Sequence, residues 1–139
     1  VNIGPALNLS IAQRLVRRVC PKCVKMENVS PDELSVLSKE VGALSKKIKG
    51  IQAISKATKI PHIQGCDECN ATGYKTRTGI YEFFIVDDTM ENFIATSPTI
   101  ADIKAKAIEE GMFTMKQDGL IKVLQGITTF EEVQRETGI

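Results

Sequence analysis

Tryptophan is absent, aromatic residues make up 5% of the 139 positions, and the single histidine is His62. A core with so few rings must be mainly aliphatic, and a local metal would help it where it is thin. Neither sign of charge is in excess: 18 Lys and Arg stand against 17 Asp and Glu, a net charge of +1. That balance gives no whole-chain reason to propose nucleic acid as a partner. No apolar run approaches the length needed to cross a bilayer, and no charged n-region followed by an apolar h-region opens the chain. A glycine-rich phosphate loop, a Ser-His-Asp set and paired carboxylates are also missing, so no catalytic or nucleotide-binding residue is assigned. With 42% hydrophobic residues the chain can still bury a core, and one or two small domains are expected. It is expected to be soluble, reduced and cytoplasmic. The opening Val1-Asn2-Ile3-Gly4-Pro5, without an initiator methionine, reads as a piece excised from a longer protein.

What the chain does have is a split pair of cysteine hooks, Cys20-Pro21-Lys22-Cys23 and Cys66-Asp67-Glu68-Cys69, which use all four of its cysteines. Each hook can present two sulfurs to one ion, and together they complete a tetrahedral shell of four thiolates, the donor set of structural zinc. Such a shell is coordinatively closed and leaves no position for an activated water, so the site is read as architecture. The alternatives are disulfides, in any of three connectivities, or a redox dithiol. The first lacks a secreted mini-protein composition, and the second lacks a βαβ context. His62, close to the second hook, is a further ligand in principle, against a neutral spacer role.

In chain order, Asn8 or Ser10 is expected to cap a helix through about Val19, because Leu7, Ile11, Leu15 and Val19 recur every four residues. Arg14, Arg17, Arg18, Lys22 and Lys25 form the densest basic region. It is read as a solvated face that compensates a doubly negative tetrathiolate centre, with a phosphate-binding patch as the alternative. Ser30-Pro31-Asp32-Glu33 is a complete helix start, with Ser30 as N-cap and Glu33 as its capping-box partner. Leu34, Leu37, Val41, Leu44 and Ile48 follow as one stripe, stopped by Gly50 and expected to pack on the zinc module. Lys59-Ile60-Pro61-His62-Ile63 looks extended. Residues 80–86 form the best strand, apolar on both faces toward its end, ended by Asp87-Asp88 and expected to lie between layers. Three capped helices then open at Thr99, Thr114 and Thr129, paired with Asp102, Gln117 and Glu132. They close at Gly111, Gly126 and near Gly138, as a compact bundle.

These readings give an α+β, mostly helical fold. Residues 1–19 end a preceding domain with a helix, and residues 20–97 form a tetracysteine zinc-binding module. That module has an amphipathic-helix insertion over 24–65 and a strand at 79–86, and residues 98–139 form a small helical subdomain.

The stretch Leu9-Ser10-Ile11-Ala12-Gln13-Arg14-Leu15-Val16-Arg17-Arg18-Val19-Cys20-Pro21-Lys22-Cys23 carries a resemblance. So does Gly65-Cys66-Asp67-Glu68-Cys69-Asn70-Ala71-Thr72-Gly73-Tyr74-Lys75-Thr76-Arg77-Thr78-Gly79-Ile80-Tyr81-Glu82. Both resemble the C-terminal third of the hexameric secretion ATPases that assemble type IV pili and drive type II secretion. The tail agrees through Glu110-Gly111-Met112-Phe113-Thr114-Met115, Gln117-Asp118-Gly119-Leu120 and Gly126-Ile127-Thr128-Thr129-Phe130-Glu131-Glu132-Val133. The likeness covers the chain apart from about residues 24–64. It implies a parent that hydrolyses ATP with Mg2+ and uses the hexamer's conformational cycle to act on an inner-membrane platform protein. The parent would be cytoplasmic and peripheral at the inner membrane. It also implies structural zinc on Cys20, Cys23, Cys66 and Cys69, and no ATP hydrolysis by this chain alone. Thr76 departs from the family, which usually has glycine before the arginine matched by Arg77; a side chain there disfavours a left-handed backbone. Cys66 to Gly73 also resembles the cysteine-rich repeats of DnaJ-type chaperones, so a stand-alone zinc-ribbon interaction module is the alternative.

Overall fold

The helix expected to lead into the first hook is a β-strand. In the computed structural model, which describes residues 3–138, β1 spans Leu9–Val19. The fourfold spacing of Leu7, Ile11, Leu15 and Val19 suits a helical face, but an even spacing also keeps side chains on one face of a strand. Leu9, Ile11 and Leu15 are between 45% and 59% exposed, whereas Val16, on the opposite face, is fully buried. What decides the matter is a partner distant in sequence, β4 at Tyr74–Ile85, with which β1 forms a two-stranded sheet. The Cys20 N–H donates to the Gly73 carbonyl (2.8 Å), and the Val86 N–H donates to the Asn8 carbonyl (2.9 Å). The two strands are therefore antiparallel.

β4 begins at Tyr74, after the short reversal 70–73 that follows the second hook, earlier than the expected 79–86. It is not enclosed between layers: Tyr81, Phe83 and Ile85 are 42%, 54% and 65% exposed, and Glu82 and Phe84 between them are half-buried. A second antiparallel pair joins β2, Lys25–Asn28, to β3, Lys59–His62, with Lys25 opposite His62 and Asn28 opposite Lys59.

Among the described residues five helices complete the α+β fold: α1 Pro31–Ser45, α2 Asp88–Ala95, α3 Ile100–Glu109, α4 Met115–Leu124 and α5 Phe130–Thr137. The Ser30 hydroxyl accepts the Glu33 N–H (3.3 Å), and the Glu33 carboxylate accepts the Ser30 N–H (2.7 Å), completing the box at the start of α1. The helix ends about one turn before Gly50. Thr99 and Asp102 make the same reciprocal cap on α3, and Thr129 caps α5. α2 is not among the helices expected from the sequence, in which Asp87-Asp88 marks only the strand's end. Asp87 is its N-cap, accepting the Met90 N–H at 2.9 Å.

The chain divides into two compact units, Val1–Gln13 with Tyr81–Met115, and Arg14–Ile80 with Lys116–Ile139. In the first, α2 and α3 follow the end of β4, and Met90 and Ala107 are buried. The Glu82 carboxylate there accepts the Met115 N–H (3.1 Å) and pairs with Lys104 (3.6 Å). In the second, Leu37 and Val41 of α1 and Ile60 of β3 form one aliphatic core with Leu120, Ile121, Val123 and Leu124 of α4 and Phe130 and Val133 of α5. The stripe of α1 thus packs on α4 and α5, not on the cysteine module as expected. The reason is area: two helices offer it a continuous apolar wall, which no cysteine knuckle of a few residues can. The three helices expected to share one bundle fall in different units, α3 in the first and α4 and α5 in the second.

Candidate metal centre

Both hooks are tight turns that the backbone closes on itself. In the first, the Cys23 and Val24 N–H groups donate to the Cys20 carbonyl (3.3 and 3.0 Å). In the second, Cys66 leads into a single 3-10 turn, Asp67–Cys69, and the Cys69 and Ala71 N–H groups return to the Cys66 carbonyl (3.2 and 2.9 Å). Asn70 and Ala71 follow with φ of 50° and 61°, so the chain reverses through two consecutive left-handed residues. Gly73, at φ +76°, is required twice over: a Cβ there would sit 2.4 Å from the Ile63 Cβ. Its carbonyl takes the Cys20 N–H, which fastens the second hook to the first.

The four sulfurs converge, all within 4.8 Å of one another, with Cys20 and Cys69 buried and Cys23 and Cys66 half-buried. The distances are 3.9 Å for Cys20 to Cys66, 3.8 Å for Cys23 to Cys69 and 3.7 Å for Cys66 to Cys69. A tetrahedral ion with sulfur at about 2.3 Å has sulfur-to-sulfur edges of about 3.8 Å, so the donor set and its spacing fit one such ion. A disulfide needs about 2.05 Å, and all four cysteines are free.

The backbone also favours sulfur as an anion. Burial pushes the Cys66 thiol up, its hydrogen bond with the Cys69 sulfur adds to this, and it reaches about 11. At Cys69 burial acts in the same direction, but the N–H groups of Cys66 and Gly73 each donate to its sulfur at 3.2 Å. Together they bring that thiol down to about 6. The two amide donors therefore make Cys69 the more acidic thiol of the second hook.

Behind the first hook lies a polar cluster that the sequence did not reveal. The Glu132 carboxylate, with no exposed side-chain surface, accepts the Arg17 backbone N–H (2.9 Å) and the Arg17 guanidinium (2.6 to 3.0 Å). Arg135 reaches the same carboxylate at 2.8 Å. Burial alone would raise the Glu132 carboxyl; the two guanidiniums reverse that and hold it at about 2. Arg17 also lies over the Tyr74 ring, 4.1 Å from its centroid, and the Tyr74 hydroxyl meets the Thr129 hydroxyl at 2.7 Å. The sequence pattern pairs Glu132 with Thr129 as a cap. Its N–H does go to Thr129 (3.2 Å), but its side chain serves Arg17 and Arg135. The crowding of Arg14, Arg17 and Arg18 was the available signal.

The remaining basic residues take separate paths. Arg14 donates to the Glu136 carbonyl, and Arg18, Lys22 and Lys25 are exposed. Among the described residues His62 does not join the sulfur cluster; its Nε2 is buried without a hydrogen-bond partner. No described helix is long and apolar enough to cross a membrane.

The sequence profile of the family described as type II/IV secretion system protein matches residues 1–135. A type IV pilus assembly ATPase PilB of Thermus thermophilus is 40% identical over 136 residues, 98% of this chain and 14% of that protein. A type II secretion system protein E of Dickeya dadantii is 35% identical over 127 residues, 91% of this chain and 22% of that protein. A PilB of Myxococcus xanthus is 37% identical over 136 residues, 97% of this chain and 22% of that protein. The chain thus spans between 14% and 22% of the length of these curated relatives.

Proposed function

Because the chain belongs to the type II/IV secretion system protein family, we propose that it is the zinc-binding structural and coupling element of a longer hexameric ATPase. That motor drives type IV pilus assembly or type II protein secretion. Cys20, Cys23, Cys66 and Cys69 hold the zinc, and the single observation that carries this is the convergence of their four sulfurs, all within 4.8 Å of one another. A four-thiolate ion supplies no open position, so it stiffens the chain and activates no water. ATP and Mg2+ belong to other parts of the longer protein, and this chain hydrolyses no ATP by itself.

The physical role follows from rigidity. Two hooks separated by more than forty residues are tied at one point, so the intervening excursion and the ends of β1 and β4 that adjoin the hooks, residues 14–19 and 74–80, move with the ion as one knob. A knob of that kind can follow the nucleotide state of the attached motor and pass the displacement to the rest of the hexamer and to an inner-membrane platform protein. The parent is cytoplasmic, peripheral at the inner membrane and does not contact nucleic acid in this role.

Cys66→Ser in the longer parent tests the reading. Pilus assembly or secretion is expected to fall, with zinc lost from the purified protein. An undiminished phenotype at normal protein level would overturn it.

A further inference from the structure

We propose that Glu132 is a positioning residue for the first cysteine hook, so that α5 sets how tightly the four-cysteine cluster holds its metal. This rests on the zinc reading above and adds a residue 115 positions along the chain from the strand it controls.

The last residues of β1 before Cys20 are held from the turn between α4 and α5. The Arg17 N–H donates to the Glu132 carboxylate (2.9 Å), and the Arg17 carbonyl accepts the Thr128 hydroxyl (2.8 Å). The Val19 N–H donates to the Ile127 carbonyl (3.0 Å). Both backbone polar groups of Arg17 and the amide of Val19 are therefore fixed by residues 127, 128 and 132. One residue later the Cys20 N–H reaches the Gly73 carbonyl, and the Gly73 N–H reaches the Cys69 sulfur. An unbroken path of hydrogen bonds and peptide units thus runs from α5 through the first hook into the second.

Glu132 is the anchor of this path because it holds Arg17 by main chain and side chain together. A fully buried carboxylate is a poor way to gain stability, since desolvation offsets most of the attraction and an apolar side chain of similar size often serves as well. What it supplies that a leucine cannot is a fixed position for one strand residue. A metal cluster needs that, because its four sulfurs must arrive together at tetrahedral spacing. Groups that orient ligands without touching the ion commonly change metal affinity by about 10- to 100-fold.

The test is zinc affinity of the 139-residue chain by chelator competition, with the absorption bands of the cobalt-substituted protein as a second readout. Glu132→Gln is expected to weaken zinc about tenfold and to alter the cobalt bands. Thr128→Val, which removes only the hydroxyl on the Arg17 carbonyl, is expected to weaken it in the same direction, about threefold. Val41→Ala, in the aliphatic core of the same unit, lowers stability without touching the path and is expected to leave affinity within about twofold. Parent-like zinc affinity in both path variants, or equal weakening by Val41→Ala, overturns the inference while the metal centre stands. A chain that takes up no zinc at all overturns the metal reading itself, and this inference with it.

Discussion

The Arg17 guanidinium closes on the Glu132 carboxylate at 2.6 Å, and although Arg17 remains 42% exposed at its side chain, Glu132 is fully shut away from water. The carboxyl is held at about 2, below its ordinary value of 4.5, so the folded state binds its proton less readily than the unfolded chain. Its contribution is therefore complete above about pH 4.5 and is lost as the pH falls from there toward about 2. Allowing for the solvent around Arg17, that contribution is of order 2 kcal/mol. Urea denaturation of the zinc-depleted chain between pH 6 and about pH 3, which keeps metal release out of the window, should show stability falling on this acid limb. Glu132→Gln should be less stable at pH 6 and show a flatter limb; an identical limb in the variant would remove Glu132 as its source.

Gly73 is the tightest point of the second hook. Gly73→Ala introduces a Cβ at 2.4 Å from the Ile63 Cβ and on a backbone with φ +76°. Left-handed strain and overpacking together should cost about 2–4 kcal/mol, measured as the shift in unfolding free energy of the zinc-loaded chain. Metal affinity should fall in parallel, since the Gly73 N–H is one of the two amides on the Cys69 sulfur.

Thr76 holds φ +68°, the left-handed backbone that a side chain disfavours. The strand therefore keeps the unusual conformation at this point and bears its strain. Thr76→Gly should stabilise the chain by about 1 kcal/mol in thermal or urea unfolding, without changing metal content. A destabilised Thr76→Gly would mean that the Thr76 side chain contributes more than the strain costs.

The parts of the fold that could be read directly are those whose causes are local. The caps at Ser30, Thr99 and Thr129 need only neighbouring residues, and the two hooks declare their donor set in four cysteines. β1 is not legible locally because Leu7, Ile11, Leu15 and Val19 satisfy two periodicities at once, and the choice between them is made by β4, more than fifty residues away. The open face of β4 is hidden for the same reason, since Phe83 and Ile85 look like interior residues unless the other side of the strand is known. Glu132 was hidden because a carboxylate three residues after a threonine is also what a helix cap looks like. Its true partner, Arg17, lies at the other end of the chain.

The aliphatic core makes a sharper distinction between residues that look alike in sequence. Leu37 is fully buried among α1, α4 and α5, so Leu37→Ala should cost about 2–5 kcal/mol. Ile100, at the first position of α3, is 88% exposed, and Ile100→Ser should change stability by no more than about 0.5 kcal/mol. Equal losses for the two would contradict the assignment of the core.

Metal content, measured by elemental analysis on protein purified without added zinc together with a thiol count before and after chelation, bears most directly on the central claim. About one zinc per chain, with four thiols becoming reactive on chelation, is the predicted result. A metal-free chain with fewer than four titratable thiols would contradict it, since the sulfurs of Cys20, Cys23, Cys66 and Cys69 would then be joined to one another and not to an ion.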